Sequence, residues 1–163
     1  MDKETKILGL ISDTHGLVRA EAVEALRGSD LILHAGDVGD PAILVELRKL
    51  APVVAVRGNV DTEQWAQALP LTELVSAGSV TVYMLHILQD LDIRPAAAGV
   101  HIVVTGHSHK PGTTEKDGVL YVNPGSAGPR RFQLPVTVAR LDLRPRPWKV
   151  EFIDLERGNR DNS

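Results

Sequence analysis

Three short apolar runs, each stopping at a glycine or a carboxylate, constrain this chain most. Ile7–Ile11 ends at Ser12-Asp13-Thr14-His15-Gly16, Asp30–Ala35 ends at Gly36-Asp37, and Val53–Val56 ends at Arg57-Gly58-Asn59. Between them lie two helix-length stretches, Arg19–Arg27 closed by Gly28, and Ala42–Leu50. Alternation of short buried strands with amphipathic helices predicts parallel βαβ units, whose sites form at the carboxyl ends of the strands.

The remainder continues the pattern with more strands. Thr62–Leu69 predicts a short helix carrying Trp65, stopped at Pro70. Leu71–Val75 and Val80–Leu85 predict two strands turning at Ala77-Gly78-Ser79, the second ending at His86. Leu88–Ala98, interrupted by Pro95, predicts a short helix or loop. Val100–Val104 runs into Thr105-Gly106-His107-Ser108-His109, and Val119–Val122 follows a turn at Lys116-Asp117-Gly118 and precedes Asn123-Pro124-Gly125-Ser126. Val136–Leu143 and Trp148–Leu155 predict the last two strands, before a polar, frayed tail from Glu156 to Ser163.

Composition narrows the chemistry. At 163 residues the chain is expected to form one domain, 1–163, with its core over about 6–155. The formal charge of -3 supplies no basic field for a polyanion, so nucleic acid is not indicated as a partner. There is no cysteine, so a transition metal must be held by nitrogen and oxygen, which suits Mn, Ni, Fe or Zn. No apolar stretch approaches the roughly 20 residues of a membrane span, and the mixed-charge start Met1–Lys6 does not read as a signal peptide. A cytoplasmic protein is expected.

The residues at the strand ends are Asp13, His15, Asp37, Asn59, His86, His107 and His109. Seven ligand-type groups exceed the need of one ion and suit a pair of metals, with one carboxylate bridging. Such a pair makes a nucleophile from water, consistent with the lack of a serine or cysteine nucleophile motif. Asp13 has a competing use as a helix N-cap. His34 reads as a partly buried partner orienting Asp37, and His101 as a surface residue. Arg57, Arg130 and Arg131 are suited either to substrate phosphate or to ordinary salt bridges. Asn123 and Ser126 read as turn-fixing residues, and Trp65 as core or interface.

The ordered set Asp13-x-His15, Gly36-Asp37, Gly58-Asn59, His86 and Gly106-His107-x-His109 resembles the metallophosphoesterase (calcineurin-like phosphoesterase) superfamily. Its small, single-domain bacterial and archaeal phosphodiesterases, similar to YfcE, are the nearer resemblance. Supporting stretches are Ile11–Gly16, Leu33–Asp37, Val56–Asn59 and Tyr121–Ser126, followed by Pro129-Arg130. The resemblance implies a four-layer α/β/β/α sandwich and two divalent transition metal ions, Mn foremost. It places Asp13, His15 and His109 on the first metal, Asn59, His86 and His107 on the second, and Asp37 as the bridge. The implied reaction is hydrolysis of a small phosphodiester by a metal-bridging hydroxide, with Asp37, Asn59 and His109 in the catalytic group and Arg57 and Arg130 on substrate. Two positions depart from the family pattern: Val60 stands where many members have a leaving-group histidine, and Ile87 stands where a glycine usually follows the ligand histidine. Val60 therefore predicts either a preference for good leaving groups or an acid supplied by another residue. The alternatives are a phosphomonoesterase, or a non-catalytic scaffold similar to the small retromer subunit. An exposed sheet edge would allow a homodimer.

Overall fold

A computed structural model describes residues 5–131 and 133–156, so the tail beyond Glu156 lies outside the described residues. In chain order the strands are β1 (Ile7–Ile11), β2 (Leu31–His34), β3 (Val53–Ala55), β4 (Thr72–Ala77), β5 (Val80–Leu85), β6 (Ile102–Val104), β7 (Gly112–Lys116), β8 (Val119–Asn123), β9 (Thr137–Asp142) and β10 (Lys149–Asp154). The α-helices are α1 (Ala20–Leu26) and α2 (Pro41–Arg48). They form two five-stranded mixed sheets, ordered β10-β9-β1-β2-β3 and β4-β5-β6-β8-β7. The first three strands are parallel, as the βαβ reading expected, and β5, β6 and β8 form a second parallel trio.

Strand alternation explains the layering. In β1, Leu8 and Leu10 belong to the cluster between the sheets, with Leu33 from β2 and Val82, Met84, Ile102, Val104 and Val122 from the second sheet. Ile11 and Ile32 face the other way and pack with Leu26 of α1 and Leu44 and Leu47 of α2. Both faces of the parallel strands are thus buried, which is why their runs are continuously apolar. Each such leucine contributes about 1.5–3 kcal/mol by leaving water. Gly9 permits the close seat of α1, since a Cβ there would lie 2.6 Å from Ser29 Oγ and 2.9 Å from Leu26 Cδ2.

The helix α2 starts at Asp40, whose side chain accepts from Ala42 N at 2.8 Å, with Pro41 in the first turn. The helix α1 has Arg19 at its N-cap position and no side-chain cap, so Asp13 is not a capping residue. The short helix read over Thr62–Leu69 is present as a 3-10 helix, Gln64–Ala68, and Trp65 packs into the helix-side core. Five residues ahead of a proline are too few to repay α-helix nucleation, and the tighter turn suffices. The fourth layer, over the outer face of the second sheet, is made by the 3-10 turn Leu88–Asp90 and the chain after it: Leu91 and Ile93 pack on Tyr83, Leu85, Val100, Val103 and Val119. No helix among the described residues is long and apolar enough to cross a membrane.

Candidate metal centre

All seven strand-end residues lie in the turns that leave β1, β2, β3, β5 and β6. Of the six non-glycine residues with positive φ among those described, five are Asp13 (φ 56°), His15 (48°), Asp37 (56°), His107 (71°) and His109 (62°). A side chain in left-handed backbone is held there at a cost of about 1–3 kcal/mol and persists only where its surroundings impose it. Here the surroundings are ladder-like bonds between loops. Asp13 N donates to Gly36 O at 2.9 Å, His15 N to Asp37 O at 3.0 Å, and Gly106 N to His86 O at 2.9 Å.

Two groups of ligand atoms result, Asp13 with His15 and His109, and Asp37 with His86 and His107, each with its atoms within 4.8 Å of one another. Asp13 Oδ1 lies 3.4 Å from His109 Nε2 and 3.8 Å from His15 Nε2. Asp37 Oδ2 lies 3.1 Å from His86 Nε2 and 3.8 Å from His15 Nε2, and Asp13 Oδ1 lies 3.7 Å from His86 Nε2, so each carboxylate reaches a member of both groups and Asp37 makes the closest approach. Asp13 Oδ1, His15 Nε2 and His109 Nδ1 are buried with no hydrogen-bond partner, while His86 Nε2 faces Asp37 Oδ2. Burying polar atoms unpaired is costly, and Asp13 Oδ1 and His15 Nε2, orphaned within 3.8 Å of each other, are lone pairs that a metal would satisfy. The residues therefore fit divalent ions, with a purely nitrogen and oxygen donor set. Asn59 is exposed and shares a cleft with His86.

Other groups aim these ligands. Asp13 Oδ2 accepts from Ser12 Oγ at 2.7 Å and from His107 N at 3.0 Å, which leaves Oδ1 for the centre. The ring of His86 bonds through Nδ1 to Ala35 O at 2.7 Å; Nδ1 must then donate, so Nε2 is the ligand atom. Val60 N donates to Asp37 Oδ1 at 3.0 Å. His34 receives Gly36 N–H on Nδ1 at 3.1 Å and contacts Thr14 Oγ1 through Nε2 at 3.0 Å, while Thr14 donates to Val38 O at 2.8 Å. It therefore braces the turn carrying Asp37, in keeping with its expected orienting role. Asn123 donates to Gly106 O and Ser126 to Asp13 O, so both fix turns as expected. His101 is exposed, as expected.

Asp61 was not singled out from the sequence. Its buried carboxylate accepts from Val38 N at 3.1 Å, Gly39 N at 3.0 Å and Gly58 N at 2.9 Å, tying the Asp37 turn to the Asn59 turn. The one local signal was a carboxylate two residues past the ligand amide.

Charge is distributed to suit a cation. Burial pushes the Asp37 carboxyl up, but hydrogen bonds from His86 and Val60 outweigh it and hold the group below the usual carboxylate range. Burial likewise lowers His86, yet the bond to Asp37 and the charge of Asp13 raise it overall above an ordinary imidazole. His109 is lowered by burial, with Arg131 adding to the fall. Complete burial lowers His34 to about 4, so it is neutral at physiological pH.

The arginines divide. Arg57 lines the cleft that holds Asn59 and His86, and its Nη1 donates to Gln67 Oε1 at 2.6 Å. Arg130 pairs with Glu156 at 2.9 Å in a different cleft lined by Arg19, Gln133 and Asp154. Arg131 is the arginine whose charge is felt at His109.

Known proteins resemble this chain in sequence and in fold. Residues 7–146 match the calcineurin-like phosphoesterase superfamily domain. A probable metallophosphoesterase of Methanothermobacter thermautotrophicus is 38% identical over 149 residues, covering 83% of this chain and 86% of that protein. Among solved structures, a novel archaeal phosphodiesterase superposes with a TM-score of 0.75 at 22% identity, covering 90% of this chain and 99% of that one. YfcE, a phosphoesterase from E. coli, gives 0.71 at 22%, covering 93% and 94%, and Vps29 of Chaetomium thermophilum gives 0.74 at 19%, covering 93% and 97%. At those identities the structures speak for the fold.

Proposed function

The chain belongs to the calcineurin-like phosphoesterase superfamily, and from that premise we propose that it is a cytoplasmic, binuclear metal-dependent phosphodiesterase acting on a small diester. The observation that carries this reading is the pair of three-ligand groups with their buried, unpartnered atoms. Asp13, His15 and His109 would hold one ion, and Asn59, His86 and His107 the other. Asp37, whose Oδ2 reaches both groups, would serve as the bridge. Held there, two such ions, Mn foremost, would lower the pKa of water towards neutrality and would offset negative charge on the phosphoryl oxygens.

The chain's own residues do the rest. Asp37 stays ionised because Val60 N–H and His86 face its two oxygens. Asn59, exposed in the cleft beside His86, would meet the substrate's phosphoryl oxygens, His109 would act from the first group, and Arg57 contributes a planar cationic fork in the same cleft. Val60 brings no acidic proton, so the leaving group must depart without one from that position. The fold resemblance to Vps29 alone would suit a scaffold, but a chain that keeps both ligand groups supports the hydrolase. We carry a homodimer forward with the proposal, since β7 is exposed along its length at a sheet edge; analytical ultracentrifugation decides it.

The test is metal content of the purified protein together with hydrolysis of bis(p-nitrophenyl) phosphate and p-nitrophenyl phosphate as Mn²⁺, Ni²⁺ or Zn²⁺ is returned to the chelated form. Near two ions per chain with metal-dependent hydrolysis favouring the diester is expected. A faster monoester would make it a phosphomonoesterase, and no turnover with any ion would leave the scaffold.

A further inference from the structure

Two separate clefts border the group formed by Asp37, His86 and His107, and their linings differ. One, of about 400 Å³, is bounded by His86 and Asn59 and walled by Leu71, Leu85 and Ile87, with Arg57, Asp90 and Asp92 as its charged residues. The other, of about 320 Å³, is bounded by His107 and lined by Ser108, Lys110, Thr113, Thr114, Tyr121 and Asn123 among others. Ile87 belongs to the first and its neighbour Leu88 to the second, so the chain just after His86 is the partition. The two imidazoles are 5.3 Å apart, centroid to centroid.

A phosphomonoester needs room for one substituent beside its phosphoryl group, whereas a diester needs room for two. Two clefts meeting at neighbouring ligands supply it. Their chemistry also separates the substituents. In the first, two carboxylates outnumber one guanidinium over an aliphatic wall, which disfavours an anionic group and favours an apolar or aromatic one. In the second, Lys110 is the sole residue of fixed charge among those lining it. Ser108 Oγ accepts from Lys110 N at 3.2 Å and Asn123 Nδ2 at 3.1 Å, which leaves its hydroxyl proton free to donate. Thr113 and Thr114 add further hydroxyls.

Building on the diesterase reading, we propose that the substrate is a diester of unlike arms. The apolar or aromatic alcohol occupies the Leu71–Ile87 cleft, and an anionic or hydroxyl-bearing alcohol occupies the Lys110–Ser108 cleft. Lys110 and Ser108 are specificity-determining residues of the second arm.

The experiment uses the Mn²⁺-loaded full chain and two synthetic diesters, 2-carboxyethyl p-nitrophenyl phosphate and propyl p-nitrophenyl phosphate, which differ only in the charge of one arm. The ratio of their kcat/KM values is the readout, because it cancels any general loss of activity or metal. The wild type is expected to favour the carboxyethyl ester by about fivefold, the upper end of what one exposed ion pair contributes. Lys110→Gln should bring the ratio near one, and Lys110→Glu should invert it. A wild-type ratio near one, or a preference that survives Lys110→Gln, overturns the assignment of the arms while the diesterase stands. Failure to hydrolyse either ester overturns the diesterase reading itself.

Discussion

The backbone N–H of Val60 donates to Oδ1 of Asp37 over 3.0 Å, so the position that lacks the family's histidine still fixes the central carboxylate. Its side chain is 47% exposed and takes no part in that bond. Val60→His should therefore leave the metal groups intact and add a proton donor beside the leaving group. The expected result is a gain of about 10- to 100-fold on diesters of poor leaving groups, with little change for p-nitrophenyl esters. Rates across a series of phenols of rising pKa give the slope, and an unaltered slope would show that Val60 is remote from the departing oxygen.

Asp61 should matter more than its distance from the chemistry suggests. Replacing it with alanine strands three backbone N–H groups from Val38, Gly39 and Gly58. The cost is about 2–4 kcal/mol of stability, because the buried donors of Val38 and Gly58 lose their partner. Metal affinity should fall as well, since the turns bearing Asp37 and Asn59 are no longer tied. Urea melts of the metal-free chain and a competition assay with a chelating dye separate the two effects. Unchanged affinity would confine Asp61 to stability.

The ligands were legible because each ends an apolar run, and strand ends in parallel sheets converge on one edge. Asp37, His86 and His107 needed no more than that. Asp61 was not legible, because what it does depends on amides 22 and 23 positions away in sequence that only the β2–β3 pairing brings within reach. The fourth layer was equally hidden. Leu91 and Ile93 cover the second sheet without a periodic helix to announce them. The arginines show the same limit: Arg130 and Arg131 are adjacent, yet Arg130 pairs with Glu156 while the charge of Arg131 lowers His109.

Acid should weaken the protein through His34. Its folded pKa of about 4 lies below the unfolded value of 6.5. The stability it protects is therefore whole above pH 6.5 and is lost as pH falls toward 4, where the unfolded chain binds a proton that the native state refuses. The loss approaches about 3 kcal/mol. His34→Asn keeps an acceptor for Gly36 N–H and removes the titration. Denaturant melts of both metal-free proteins between pH 4 and 7 should show the wild type falling more steeply. Parallel curves would contradict a neutral, buried His34.

Chelation should cost stability as well as turnover. Five strained ligand residues in three turns and three orphaned atoms are tolerated best with cations among them. An ion present at a hundredfold its Kd adds about 2.7 kcal/mol. Thermal melts before and after EDTA should differ by several degrees, with Mn²⁺ reversing the drop. His86→Ala should retain one ion and recover only part of the shift. Full recovery in that variant would remove His86 from the ligand set.

Gly58 offers a way to disable the centre without altering a ligand. A Cβ at this position would collide with Asp37 Oδ1 and with the backbone N of Asp37. Neither atom can yield freely: Oδ1 is held by Val60 N–H, and the Asp37 turn is pinned through Asp61. Gly58→Ala must therefore displace the carboxylate, with an overpacking cost of about 1–3 kcal/mol. A shift of about 1 Å in a positioned group can slow catalysis by about 100-fold. The expected variant is folded by near-UV circular dichroism and slower by at least that factor, with reduced metal content. Activity within twofold of wild type would mean that Asp37 tolerates displacement, and the carboxylate could not then be the bridge on which both ions depend.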